Sequence, residues 1–522
     1  MYIEPNTVIR ILKDCPLDTT YEHTIFFTSE SGQVSYFQGL TKYTLTQQTY
    51  QRVQRGKMRV AIQAENLYDC NYLMFQNSSF GTKWFYAFIK SVEYVNNVTS
   101  EIEFEIDVMQ TWFFDYSLGM CFVEREHSAT DNIGDNLVPE NLETGEYVSD
   151  DFDATGKLGG KSIVVAANFD ENYDKVGGTY YCGLFGGAYY HVFPNTTTGA
   201  QECADFILGA ADKSDGIISV FLMPTSMVGE MLESAKTYDV VKTKNLTAIG
   251  SYADVKNKKL FTYPYNFLYV TNLQGNHAVF PYEFFSGDAC TFVLTGDMSC
   301  NPQVVLAPTN YKGVATNYDE KMVLSGFPQL TYNTDTFKAW LAQNASGLVV
   351  NAIAGGGNLA LGAGRSAAQL QYASATGSIL GHQMATLGAG GLALGAAVGI
   401  ASTMAEVYQH SRMPLQAHTG AGATTMAAIG ILDFAFMHKH ITPEFARIID
   451  DYFTKYGYAT HKVKVPNRSV RPYWTYTKTI GCEITGSIPC DDARKICSIY
   501  DKGITFWKSG ANVGKYNLDN TV

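Results

Sequence analysis

Hydrophobic and polar positions alternate strictly through Ile102-Glu103-Phe104-Glu105-Ile106-Asp107-Val108. A period of two predicts a strand, with Ile102, Phe104, Ile106 and Val108 on one face and Glu103, Glu105 and Asp107 on the other. Asn96-Asn97 ahead of it suits a tight turn, so 92–108 reads as a hairpin. The acidic face is either solvated surface or the lining of a channel. Further strand candidates are 25–27, 43–45 and 84–89, then 162–165, 260–265, 292–294 and 304–306, and near the end 474–477 and 503–507.

One stretch obeys neither strand nor ordinary helix patterning. From 339 to 405 the only charged residue is Arg365, and glycine and alanine carry the sequence between leucine, isoleucine and valine. Glycine costs roughly 1 kcal/mol per helix position relative to alanine, so this is a poor stable soluble helix. A bilayer-spanning helix needs about 20 apolar residues, and the uncharged run after Arg365 is about twice that, enough for an apolar hairpin. Gly377, Gly381, Gly391, Leu392, Leu394, Gly395, Val398, Gly399 and Ile400 are its candidate membrane-insertion residues. Gly391, Gly395 and Gly399 repeat every four positions, where small residues let helix backbones meet closely in lipid. The alternative is a glycine-rich loop packed inside a soluble assembly.

Helix signals stand on both sides. Asp335-Thr336-Phe337-Lys338-Ala339-Trp340-Leu341 opens one helix, capped by Thr334 or Asp335. Thr442 caps a second, with Pro443 at its first position and Gly457 just past its end. Phe445, Ile448, Ile449, Tyr452, Phe453 and Tyr456 form its expected buried stripe.

Composition agrees with a strand-rich chain able to bury sizeable cores: 46% hydrophobic, 34 Tyr and 30 Phe, with only 17% charged. The 522 residues exceed one simple domain. The net charge of −12 is uneven. Residues 131–235 hold 17 acidic and 4 basic side chains, a balance of −13, whereas 455–515 hold 11 basic and 4 acidic. The expected ranges are 1–130 as the N-terminal part of a β domain and 131–235 as an acidic lobe or insertion. A β-rich segment at 236–335, the apolar loop with its flanking helix at 336–440, and a returning helix and strands at 441–522 complete the chain. No basic nucleic-acid patch stands out. The start, Met1-Tyr2-Ile3-Glu4-Pro5, shows no secretory signal, and ten scattered cysteines without a paired CxxC read as free thiols.

Chemistry-bearing motifs are missing: no GxSxG, no GxxxxGK[ST] and no HExxH. The loop at 124–140, with His127, Glu126 and Glu140, reads as ion pairing rather than a metal or acid–base site. His438 and His440 read as solvated residues near a helix end. No catalytic residue, metal or cofactor is assigned.

Three blocks carry a resemblance. They are TYQRV at 49–53 with NLYDCNYLMFQN at 66–77; KWFYAF at 83–88 with VEYVNN at 92–97, EIDVMQTWFFD at 105–115 and LVPENL at 137–142; and PYWTYTK at 472–478 with IYD at 499–501 and GITFWK at 503–508. Together they resemble the tail-knob, or distal tail-tube, proteins of small short-tailed phages with protein-primed genomes, the Picovirinae type. The middle, 150–330, matches loosely.

The resemblance implies a mainly β, α+β protein: a tail-tube-like sheet or barrel domain, an inserted acidic knob lobe and a long hydrophobic loop. It implies a homohexameric tube at the tail tip whose lumen conducts phage DNA, with Glu103, Glu105 and Asp107 as candidate lining. Hydrophobic loops would plug the tube, then leave it and form a pore in the host cell membrane. Implied partners are a lower-collar or proximal-tube protein and a tail-tip cell-wall-degrading protein. The implied location is the virion, after synthesis in the host cytoplasm. Two other readings stand beside it: a receptor- or cell-wall-binding tail protein without pore activity, and a pore-forming toxin.

Overall fold

The computed structural model describes residues 6–48, 56–77, 81–158, 160–173, 180–181, 184–185, 189–194, 196–210, 213, 216–228, 237–297, 303–325, 329–330 and 433–522. The described chain is mostly β. It forms two compact units. The first comprises Met1–Glu143, Asp254–Leu260 and Glu444–Val522; the second comprises Thr144–Ala253 and Phe261–Pro443. The first unit thus runs past the expected boundary at 130 and recruits a short piece from the expected 236–335 range.

In the first unit a six-stranded sheet runs edge to edge as Thr41–Gln48, Thr7–Lys13, Cys70–Asn77, Phe85–Asn96, Thr99–Ile106 and Lys57–Val60. Its central strands bury both faces. Leu73 and Ala87 join Ile9, Ile11, Met58, Ile102 and Phe104 in one core. Tyr72, Met74, Tyr86 and Phe88 turn the other way, against Phe37, Ile496 and Tyr500. Side chains of period two feeding two cores explain why these strands read as apolar runs rather than clean alternation. A second sheet orders His23–Ile25, Ile504–Trp507, Trp474–Ile480, Cys121–Glu126 and Tyr458–Lys464, the first pair parallel.

The helix Pro443–Tyr456 starts and stops as its signals predict, with Gly457 at φ +66° donating its N–H to the Phe453 carbonyl. Its buried stripe is rotated from the expected one. Ala446, Ile449, Asp450, Phe453 and Thr454 are buried, whereas Ile448 is 65% exposed. The cause is Asp450, whose carboxylate accepts from the backbone N–H groups of Lys256 (2.9 Å) and Asn257 (3.0 Å) and from the Asn257 amide (2.8 Å). The same contacts fasten Asp254–Leu260 to the first unit. The expected strand at 260–265 does not form: Leu260 and Phe261 belong to the 3₁₀ turn Lys258–Phe261, and pairing begins only at Asn266, after Pro264, which has no N–H to give.

Among the described residues four helices went unread in the sequence: Glu30–Gly39, the short Val108–Thr111, Thr197–Gly209 and Cys490–Lys502. The helix expected at 335–341 lies outside the described residues.

The second unit has three main sheets. One orders Tyr189–Pro194, Lys161–Ala167, Ile217–Pro224 and Gln329–Leu330. Another orders Tyr147–Ser149, Ala435–Ile441, Asn266–Thr271 and His277–Phe280. The third is built on Thr237–Thr243, Ala289–Asp297 and Gln303–Tyr311. All three contribute to one core, through Val164 and Phe221, Leu268 and Phe436, and Phe292 and Leu306. Residues alternating with these on the first sheet, Ile163, Val165 and Val220, enter a separate core with Cys203 and Ile207 of the helix Thr197–Gly209.

Candidate functional site

The hairpin of Phe85–Asn96 and Thr99–Ile106 forms as the alternation predicts. Glu103 and Glu105 lie on its partly exposed face, but that face is not simply acidic. Antiparallel pairing puts Lys57 across from Glu103 and Arg59 across from Glu101. Lys57 Nζ lies 3.5 Å from Glu101 and 3.9 Å from Glu93, and Arg59 Nε lies 2.9 Å from Glu101. Glu105 pairs with Lys495 at 2.5 Å and Lys90 at 3.1 Å. The hydrogen bond from Lys495, opposed by partial burial and aided by Lys90, holds its carboxyl below the usual glutamate range. Three carboxylates, Glu93, Glu101 and Glu105, therefore meet four cations, Lys57, Arg59, Lys90 and Lys495, while Glu103 stands across the ladder from Lys57.

Asp107 does not belong to this face. The strand ends at Ile106, and Asp107 is 1% exposed, so it lines no surface of the chain. It caps the short helix Val108–Thr111, accepting from the Gln110 N–H at 3.1 Å, and takes the Tyr72 hydroxyl at 2.8 Å. Capping is the usual work of an aspartate at such a start, and it overrides the period of two. Burial is the largest influence on its carboxyl and pushes it up to about 6, against the hydrogen bonds that pull it down.

Of the expected loop at 124–140, residues 124–126 close the strand Cys121–Glu126, and the stretch holds the ion pairs expected of it. Glu140 is almost wholly buried between Arg125 and Lys259, the latter at 2.6 Å, and also accepts the Ala459 N–H. Glu126 accepts from Lys464 at 2.6 Å. Asp131 accepts from Tyr458 at 2.7 Å. His127 contacts the Thr454 carbonyl through Nε2 and accepts the Tyr476 N–H at Nδ1, and burial holds it down to about 3. A neutral, fully engaged imidazole is a structural element rather than a proton carrier.

His438 and His440 are corrected outright. They stand on the strand Ala435–Ile441 just ahead of the helix Pro443–Tyr456 and are not solvated as expected, His440 being 1% exposed. His440 Nε2 lies 2.8 Å from Asp150, and His438 Nδ1 lies 2.5 Å from the Tyr282 hydroxyl. Among the described residues no group of His, Cys, Asp and Glu can hold a metal ion, and no helix is long and apolar enough to cross a membrane.

Gly377, Gly381, Gly391, Leu392, Leu394, Gly395, Val398, Gly399 and Ile400 lie outside the described residues. Their attachment points do not. The chain enters the undescribed stretch from the edge strand Gln329–Leu330 and leaves it at Asp433, two residues before Ala435–Ile441. Asp433 is 6% exposed. Its carboxylate accepts from the Thr155 hydroxyl (2.5 Å), the Gly156 N–H (3.2 Å) and the Phe434 N–H (2.8 Å). Sequence reading passed over this residue. Its signal was a lone acid where the apolar stretch ends, ahead of Phe434-Ala435-Phe436.

Comparison with known proteins brings the two halves of the chain together. Residues 232–521 match the family model of the C-terminal domain of the tail knob protein gp9 of Bacillus phage phi29. Residues 5–117 match the caudoviral major tail protein N-terminus. The chain is 26% identical over 600 aligned residues to the tail knob protein gp9 of Bacillus phage B103, covering 99% of this chain and 98% of that one. It is 24% identical over 602 to the tail knob protein gp9 of Bacillus phage phi29, with the same coverage. In fold it is similar to the tail knob protein gp12 of bacteriophage C1, with a TM-score of 0.63 over 99% of both chains at 12% identity.

The buried acid gives a pH test. The Asp107 carboxyl titrates at about 6 in the fold against 3.8 for the ordinary group. The unfolded chain therefore releases this proton first, and stability falls as pH rises from about 4 to about 6. Asp107→Asn keeps the cap and removes the titration. Between pH 4 and pH 7 its unfolding free energy should gain on the natural protein by about 2 kcal/mol. Parallel pH profiles of the two would contradict the buried assignment.

Proposed function

The chain belongs to the phage tail knob protein family, and from that premise we propose that six copies close into a tube that conducts the phage DNA. The protein is a structural component of the virion tail knob and not an enzyme. In the proposed cycle the apolar segments plug the tube before infection. On ejection they leave it, enter the host cell membrane and form the passage for the genome.

The observation that carries this reading is where the apolar segment hangs. In sequence it lies between two strands of different sheets in the second unit, and the described residues of those sheets pair with one another and share a core. A glycine-rich segment attached in this way can change surroundings without dismantling its carrier. In lipid every backbone polar group must be paired internally, which favours helices meeting along Gly391, Gly395 and Gly399. Arg365 must then face water or headgroups, because a charge at the bilayer centre costs about 3 kcal/mol or more.

The lumen reading keeps Glu103 and Glu105 and drops Asp107. DNA has to slide without being held, and surplus cations would hold phosphates through counterion release. A face on which each cation meets a carboxylate offers no such surplus.

Two outcomes follow. Dye release from liposomes should occur with the full chain, be lost when 347–405 is deleted, and be weakened by Gly395→Leu. A deletion variant that permeabilises liposomes as well as the full chain would leave the segment as a plug only. Charge reversal of Glu103 and Glu105 to Lys should slow DNA ejection; unchanged ejection would remove them from the lining.

A further inference from the structure

The strand Trp474–Ile480 ends in a turn at Gly481, whose φ of +67° is left-handed backbone that glycine adopts freely. The turn brings Cys482 against the helix Cys490–Lys502. Asp501 of that helix fixes it there: its Oδ1 accepts the Cys482 N–H at 3.1 Å and the Thr479 hydroxyl at 2.7 Å. Cys497 lies about one helical turn before Asp501, on the same face. The clamp on the Cys482 backbone therefore sets its side chain beside Cys497. The two thiols share a hydrogen bond and pack together at the edge of one core. Both line an open cleft of about 730 Å³, together with Glu483, Arg494, Asp501 and Lys502. Cys482 is 8% exposed, and Cys497 is the more open of the two. A third thiol, Cys121, reaches Cys482 but is 5% exposed and is not among the residues lining the cleft. Among the described residues these thiols form no group that can hold a metal ion.

From this arrangement we propose that Cys482 and Cys497 are an oxidisable thiol pair, which closes to a disulfide once the virion has left the reducing interior of the cell. Disulfides persist outside cells and are rare in the reduced cytosol. The oxidant is a low-molecular-weight disulfide, RSSR, entering the cleft. Cys497 loses its proton and attacks one sulfur of RSSR; the S–S bond breaks, and the departing RS⁻ takes up a proton. Cys482 then loses its proton and attacks the Cys497 sulfur of the mixed disulfide, releasing a second RSH. Two protein thiols are oxidised and one RSSR is reduced to two RSH. Arg494 and Lys502 at the cleft suit an anionic RSSR, of which glutathione disulfide is the simplest probe. Burial, the largest influence on both thiols, pushes them up from the usual cysteine range, so each stays protonated and closure is slow beside that of an activated cysteine. The bond ties the end of a strand to the helix that carries Ile496, Ile499 and Tyr500 into the core.

Peptide mapping of the natural full chain tests this. The reduced protein is treated with glutathione disulfide at mildly alkaline pH, then denatured and alkylated in excess reagent. Cys482 and Cys497 should lose alkylation together, at least about tenfold more than the buried Cys15, Cys203 and Cys290. They should appear in one linked peptide, lighter by two hydrogens than the separate pair. Cys482→Ser should halt Cys497 at the glutathione adduct, whereas Cys497→Ser should leave Cys482 open to alkylation. Intact virions should carry the same link without added oxidant. A peptide joining Cys482 to Cys121, a lasting glutathione adduct on Cys497 in the natural chain, or both thiols still free after the exposed Cys490 has reacted overturns the pairing. Virions in which both thiols alkylate fully overturn its closure outside the cell. If a serine variant does not fold, mapping of the natural chain and of virions decides alone.

Discussion

The hydrogen-bonded Asp433 carboxylate marks where an apolar, glycine-rich segment ends and a packed β fold begins. Phe434 and Phe436 enter the core at once, Ala435–Ile441 becomes the middle of a sheet, and Pro443–Tyr456 starts two residues after the strand ends. A segment that disfavours a stable soluble helix can be carried in this way because its ends meet ordered sheets. The sheets supply the backbone partners that the chain on either side of it needs.

The first unit solves a related problem with buried polar groups. Asp450 and Glu140 fix loop backbone and buried cations that would otherwise be costly. Helix Pro443–Tyr456 turns Asp450 inward for this purpose and leaves Ile448 outside. Charge along the hairpin face follows the same economy of pairing. Exposed pairs of that kind contribute little to stability, so their consequence lies in the field the face presents, which is close to neutral rather than acidic.

Much of the fold was legible. Alternation gave the hairpin, and Pro443 and Gly457 gave both ends of a helix. The helix Cys490–Lys502 was also readable, since Asp491 and Asp492 fill its first turn, Ile496, Ile499 and Tyr500 share one face, and Gly503 follows it at φ +96°. Three features were not legible, each for a tertiary reason. Asp107 obeys the strand period yet serves as a cap, buried where the Tyr72 hydroxyl from the same sheet reaches it. Asp450 sits where a helical wheel expects solvent and becomes buried only because Lys256 and Asn257 arrive there. His438 and His440 look like solvated residues until Asp150 and Tyr282 close on them. The charge pairing of Glu105 likewise depends on Lys90 and on Lys495 from the far end of the chain. The candidate membrane-insertion residues stand out by composition and lie outside the described residues.

The central claim is that this chain works as a ring of six around a DNA passage. Native mass measurement of the purified full chain, at concentrations approaching those in the virion, tests it most directly. The account predicts a species of six times 57.5 kDa, seen as rings or tubes with an open axis in electron images. A stable monomer under those conditions would contradict it.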